Sequence, residues 1–502
     1  MAFLPAAFVS RSARALLCTA PLLAGCGLMP LQHVRVPESR LHAAFVVVGE
    51  NATRRFFKDL ASFPSLGSFI PFARAITPAD LRGETGSTCP EIIIDGTIQR
   101  MLVRAPAATL PQRPTASDSA SSKPSAFPVA VCEFPLPGNA TRAAIGDVLL
   151  RLPKAEPQRI VVIGDTGCRM KRADSAWQAC LDRKEWPFRT IADAAAAMAP
   201  DLVIHVGDYH YRENACPANI PGCQGSPWGY GWDTWQADLF EPAAKLLAAA
   251  PWVVARGNHE ECRRAGQGWF RLLDVRPFAE SRSCNDPNND LIGNFTPPYS
   301  VPLAADLQLI LFDSAVAGSG PLDPSKPREA HAYNQYLQQF STVDALAAKP
   351  GVNSFFVNHH PILAYSVYDN QALQGGNRAL QSVMKSNHPQ TYYPGAVQLA
   401  LHGHVHLFEA ISFSSNHPAT IVSGIGGDEL STVLPDPFPT HIGPAPGVTL
   451  ESITHGNDFG FVVMDKLQSG WQISAHDVHG TRKATCVLTG SKLRCDKTGL
   501  LR

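Results

Sequence analysis

The 502-residue chain carries no net charge, because 43 Lys and Arg balance 43 Asp and Glu. That balance removes the electrostatic reason to expect nucleic acid as a partner. It has no internal repeat, so no solenoid or propeller is expected. Beyond its first residues there is no apolar run long enough to cross a bilayer. A nucleotide-binding glycine fingerprint is also missing: Gly424-Ile425-Gly426-Gly427-Asp428 follows a strand, but no helix signal follows it. What remains, with 45% apolar residues, suits a globular enzyme. The length exceeds one ordinary core, so one large catalytic domain and something smaller are expected.

The N-terminus reads as an export signal. Arg11 and Arg14 precede the short apolar stretch Ala15 to Leu23, which ends in Leu23-Ala24-Gly25-Cys26. The ending is similar to the bacterial lipoprotein box, in which the Cys becomes the lipid-bearing N-terminus. The other reading is an ordinary cleaved signal. Either places the protein outside the cytoplasm, periplasmic or anchored to the outer membrane through Cys26, and the bacterial setting argues against glycosylation at Asn51, Asn139 and Asn294. Cys18 and Cys26 apart, ten of the 12 cysteines remain, an even number that in an exported chain points to disulfides. Neighbour pairing (89–132, 168–180, 216–223, 262–284, 486–495) is the simplest arrangement because each bridge closes a short loop.

Three segments are expected: a signal over 1–26, a small β-rich domain over 27–157 with a mobile Pro- and Ser-rich loop at 106–124, and a catalytic α/β domain over 158–502. From Arg159 onward, uniformly apolar strands (Ile160 to Ile163, Leu202 to Val206, Trp252 to Ala255, Leu307 to Phe312, Ser354 to Val357, Val397 to Leu401) alternate with helices such as Phe188 to Met198. Strands of that kind imply sheets covered on both faces, with ligands at their carboxyl ends. The chain turns β-rich after 409 and closes on a hairpin at 485–495.

Five short blocks sit at those strand ends: Gly164-Asp165-Thr166-Gly167, Gly207-Asp208-Tyr209-His210-Tyr211, Gly257-Asn258-His259-Glu260, Asn358-His359-His360-Pro361 and Gly403-His404-Val405-His406. Asp165 alone reads equally well as a helix cap. Together the blocks supply the carboxylate, amide, imidazole and phenol groups that a two-metal hydrolytic site requires, with one carboxylate able to bridge both ions.

The set resembles the calcineurin-like metallophosphoesterases, and within them the purple acid phosphatases. Gly167 stands where most of that superfamily has a His, and Tyr211 follows Asp208 by three residues. The resemblance covers about Arg159 to Ser474. It implies a four-layer α/β/β/α sandwich and hydrolysis of phosphate monoesters by a metal-bound hydroxide. It further implies two ions, Fe3+ plus Zn2+, Mn2+ or Fe2+, the first on Asp165, Asp208, Tyr211 and His406 and the second on Asp208, Asn258, His359 and His404. His360 is the alternative to His359, and His210 the alternative to Tyr211. Asp208 and His259 are the expected catalytic residues. His259 would protonate the leaving group or steady the phosphate, its other reading being a hydrogen-bonding support for the ligands. Arg169 and Arg256 read equally as phosphate contacts or ion pairs. A phosphodiesterase or nucleotidase on the same metals, and a binding protein that retains the fold, are the other functional readings.

Titration of thiols in the denatured, unreduced protein should find none of the ten cysteines free; ten free thiols would defeat the disulfide reading.

Overall fold

The computed structural model describes residues 41–50, 69–79, 81, 89–113, 122–367 and 372–501. The export signal with Cys26, the Asn51 sequon and residues 114–121 of the Pro- and Ser-rich segment lie outside the described residues. Two large sheets organise the rest. In the eleven-stranded sheet, Arg159–Ile163, Leu202–His205 and Trp252–Val254 run parallel side by side. In the eight-stranded sheet the parallel centre is Leu307–Leu311, Asn353–Val357, Val397–His402 and Ala419–Ser423.

Alternation within the strands explains the layering. Leu309, Leu311, Phe355 and Val357 join the core built on Ile160 to Ile163, whereas Ile310 and Phe356 pack into a second core. Successive side chains of a strand point to opposite faces, so the eight-stranded sheet faces the other sheet on one side and helices on the other. Those helices are Pro327–Ala347 and Arg378–Asn387, which contribute Tyr336, Phe340, Leu380 and Val383. Phe188–Ala197 and Ala244–Ala249 cover the eleven-stranded sheet. The result is the expected α/β/β/α sandwich.

Element ends match the sequence pattern closely, and the helical stretch from Trp232 does break beside Pro242. Helix Pro327–Ala347 has no counterpart among the expected elements. Its buried residues Tyr336, Phe340, Val343 and Ala347 recur at helical spacing, but polar neighbours dilute the signal. Among the described residues no helix is long and apolar enough to cross a membrane. All five disulfides follow the neighbour pairing.

The N-terminal strands extend the catalytic sheet. Ala43–Glu50 pairs in parallel with Trp252–Val254, and Phe69–Pro78, Val129–Pro135 and Leu102–Ala105 continue outward from it. A separate four-stranded sheet packs over them with its own core of Ile92, Ile94 and Ile145. Of the Pro- and Ser-rich segment, Ala108–Leu110 pairs with Ser125–Phe127, so its flanks are ordered.

A buried charge cluster fastens this extension. Glu133 accepts from Arg74 at 3.2 Å and from Arg104 at 3.0 Å. The two guanidiniums also donate to the carbonyls of Leu272 and Phe270 at 2.9 and 2.7 Å. Burial, with Arg104 alongside, lowers the Arg74 pKa to about 9. Removing the single carboxylate strands two buried cations, so Glu133→Ala should cost on the order of 3–5 kcal/mol, read as a lowered denaturant midpoint. A midpoint within error of the parent would show that the cluster is dispensable.

Candidate metal centre

Each of the five blocks begins where a parallel strand ends, and local backbone chemistry sets its direction. Asp165, Asp208 and His404 hold φ of +57°, +55° and +67°, a left-handed conformation that costs on the order of 1–3 kcal/mol per non-glycine residue and collects at functional sites. The neighbouring glycines make room for the functional atoms. A Cβ at Gly257 would lie 2.1 Å from Asp208 Oδ1, and one at Gly403 would lie 2.4 Å from Asp165 Oδ2. At Gly167 a Cβ would meet Tyr209 O and Tyr211 N at 2.8 Å, so the main chain leading to Tyr211 fills the space a His side chain would need.

The seven expected ligands come together in two groups that share Asp208. In the first, the Tyr211 hydroxyl lies 3.0 Å from Asp165 Oδ1, 3.0 Å from Asp208 Oδ2 and 3.1 Å from His406 Nε2. In the second, His359 Nε2 lies 3.0 Å from both Asn258 Oδ1 and Asp208 Oδ2, and His404 Nδ1 lies 3.0 Å from Asn258 Oδ1. Ligand atoms of Asp208, His359 and His404 fall within 4.8 Å of one another.

These atoms have more lone pairs than protons. One phenol hydrogen faces three acceptors. His359 Nδ1 is placed 3.0 Å from the Val206 carbonyl and His406 Nδ1 2.6 Å from that of Glu429. In their neutral forms both rings would carry the proton on Nδ1, away from the cluster, and present Nε2 to a metal. Cations fit such a set. Burial opposes charging of His359, yet the Asp208 carboxylate raises its pKa to about 9, a demand for positive charge that a metal ion also meets. Burial and the two carboxylates push the Tyr211 phenol well above its ordinary range, so its ionisation needs a metal's charge beside it.

The alternatives separate cleanly. His210 lies beside Tyr230 and Trp235, its ring nitrogens buried away from the cluster. His360 turns aside, with Nδ1 3.1 Å from the Ser314 hydroxyl. Arg256 serves the framework: it is buried and donates to the carbonyls of Glu260 and Gly293 and to Asp313. Arg169 is clamped by Asp428 and stands over the Tyr211 ring. The 424–428 segment, expected as a wall of the site, packs behind the ligands instead, with Asp428 Oδ2 3.2 Å from His406 Nδ1, and the residues that follow it, 429–432, line the cavity.

Several supports were not foreseen from sequence. The buried Glu260 carboxylate accepts from the N–H groups of Asp208, Tyr209, His210 and Gly257 at 2.9–3.2 Å, tying the second block to the third. Asp238 does the same for Cys168, Tyr211 and Arg212. His259 packs against Tyr211 with ring centroids 3.8 Å apart and the planes tilted by 36°. Its Nδ1 lies 2.5 Å from Arg264 and 3.2 Å from Glu213. Glu260 was visible within a block; Asp238, Glu213 and Arg264 gave no local signal.

The cluster opens into a cavity of about 510 Å³ that includes Asp208, Tyr211, His259 and His406. A second cavity of about 520 Å³ adjoins it at Asn258, Ser366, His404 and Val405.

Residues 158–408, half of the chain, match the family model described as calcineurin-like phosphoesterase. No curated protein matches the sequence at a significant level. Among solved structures, PhoD aligns over 92% of this chain and 92% of its own at 12% identity with a TM-score of 0.53, a likeness of fold. Purple acid phosphatase PPD1 from yellow lupin (Lupinus luteus) seeds aligns over 92% and 74% at 16% identity and a TM-score of 0.47. A dimetal phosphatase from Danio rerio aligns over 67% and 100% at 14% identity and 0.37.

The Glu260 clamp predicts that Glu260→Gln, which turns amide hydrogens toward backbone donors, lowers metal affinity by about 10- to 100-fold, the usual effect of losing such support. Metal content after dialysis against a graded chelator measures this; retention equal to the parent would assign Glu260 no part in holding the centre.

Proposed function

This chain belongs to the calcineurin-like phosphoesterases and is a phosphoester hydrolase of a family that implies a dinuclear metal site, and we propose that the seven clustered side chains are that site. Asp165, Asp208, Tyr211 and His406 would hold one ion, and Asp208, Asn258, His359 and His404 the other, with Asp208 common to both. The observation that carries this reading is the surplus of lone pairs around the single Tyr211 proton. A phenol among two carboxylates suits Fe3+ at the first position, with Zn2+, Mn2+ or Fe2+ at the second. When bound, such a pair supplies an acidified water and neutralises charge on the phosphoryl oxygens.

The protein's own groups then do the positioning. Arg264, which keeps its proton, makes the shorter contact with His259 Nδ1, so Nδ1 accepts and Nε2 carries the hydrogen. Burial, reinforced by Arg264, lowers the His259 pKa to about 3. The ring is therefore neutral at working pH, and its Nε2–H, in the wall of the metal cavity, is free to donate to a phosphoryl or leaving oxygen. Its role is to steady the phosphate through that hydrogen bond. p-Nitrophenyl phosphate is the simplest phosphate ester with which to test this arrangement. A protein that kept the fold only to bind ligands would be under no pressure to retain all seven donors. Five disulfides fit an exported enzyme, and the proposal includes lipid attachment at Cys26.

Hydrolysis of p-nitrophenyl phosphate by protein loaded with iron, manganese or zinc should be almost abolished by Asp208→Asn. His259→Ala should lower kcat by about 10²–10³-fold, as for loss of one transition-state donor. Tyr211→Phe should remove visible absorption from the iron-loaded protein. A colourless parent whose spectrum does not respond to that change would eliminate iron–phenolate ligation while leaving hydrolysis intact.

A further inference from the structure

We infer that the preferred substrate of this site is a phosphodiester whose second substituent occupies the cavity beside His360. The inference rests on the hydrolytic reading above and specifies its substrate class.

The first observation is the pair of cavities. The metal-lined cavity, about 510 Å³, extends toward Arg169 and Lys171 on one side and Leu430 and Thr432 on the other. The second, about 520 Å³, extends toward Ser319, Gln374, Asn377 and Arg378. They meet at Asn258, Ser366, His404 and Val405, and two of these four are among the proposed ligands. A phosphorus atom at the cluster thus has space for a group on each side of the junction. A phosphomonoester has only one substituent and would leave one cavity without a role.

The second observation is charge. A phosphomonoester is largely dianionic at neutral pH because its second pKa is about 6, whereas a diester carries a single negative charge. Among the described residues lining the metal cavity, both Lys and Arg side chains are already committed. Lys171 is 2.8 Å from Asp174, and Arg169 is paired with Asp428 and with Asp174 at 3.3 Å. Asp174 and Glu429 add negative charge to the same wall. Beyond the charge that a bound metal pair would neutralise, no uncommitted Lys or Arg among these residues answers the extra charge of a monoester. The second cavity has a different lining: no carboxylate among the described residues, an exposed Arg378 that donates to the Ser319 carbonyl at 3.3 Å, and the buried His360, whose Nδ1 is occupied by Ser314. That lining suits a polar or anionic substituent.

In the reaction, the oxygen of water forms a new bond to phosphorus and the bond to one ester oxygen breaks. One water proton ends on the departing alcohol and the other on the monoester product. The leaving group lies in the His259 cavity and the retained group in the His360 cavity. Because the monoester product has no second substituent to seat in the other cavity, its own hydrolysis is the slower step, and one alcohol is released per diester before the next.

The test compares kcat/KM for bis(p-nitrophenyl) phosphate and p-nitrophenyl phosphate on the full chain loaded with manganese, zinc or iron, in the parent, in Ser319→Trp, which fills the second cavity from an exposed position, and in Arg378→Glu. The expected result is a diester preference of at least tenfold in the parent, a first equivalent of p-nitrophenol per diester released faster than the second, and a diester-to-monoester ratio at least tenfold lower in either variant. Monoester preference in the parent, or a ratio that neither variant moves, overturns the diester assignment and leaves phosphoester hydrolysis standing. Turnover of neither ester with any metal overturns the hydrolytic reading and this one with it.

Discussion

Seven side chains with more lone pairs than protons are forced to share one small buried volume, and most of the surrounding structure follows from that constraint. Left alone, Asp165, Asp208 and the Tyr211 oxygen would repel one another. They are held by backbone that cannot relax: left-handed residues at the ends of three strands, glycines where a Cβ would touch a donor oxygen, and the carboxylates of Glu260 and Asp238, each fixing three or more N–H groups across blocks. The framework around them is balanced by its own cations, with Asp238 paired to Arg212 at 2.6 Å, so the seven side chains are what remains to be satisfied by bound metal. Preorganisation and metal binding are two aspects of one arrangement.

The legible part of this molecule was the part whose signal is local. Strands such as Ile160 to Ile163 announce themselves by composition, and the blocks after them by residue type and spacing. The disulfides were legible for a related reason, since each joins nearest neighbours in sequence. Asp238 escaped notice because its partners are Cys168 and Tyr211, far away in sequence, and nothing in the surrounding residues distinguishes it from a surface carboxylate. Glu213 and Arg264 escaped likewise, their meaning arising only when they meet His259. Helix Pro327–Ala347 was missed because its buried stripe is narrow and interrupted by polar residues.

The N-terminal region carries the same lesson at larger scale. Its strands were recognisable, but the pairing of Val47 with Trp252 is a long-range event with no sequence trace. The sheet that positions Asp165, Asp208 and Asn258 is therefore completed by residues encoded more than a hundred positions earlier. Arg74, Arg104 and Glu133 tie that edge to the carbonyls around Leu272, so the margin of the sheet and the helix behind the Asn258 block share one electrostatic fastening.

The crowding at Gly167 has a consequence for the second block. Any side chain in place of Gly167 would press its Cβ to 2.8 Å from Tyr209 O and Tyr211 N, main-chain atoms that are present whatever residue stands at 211. A substitution at 167 would therefore have to move the backbone that carries Tyr211 toward Asp165 and Asp208. The first two blocks are thus coupled through the main chain between them, and a change at position 167 is felt at Tyr211 without any contact between the two side chains.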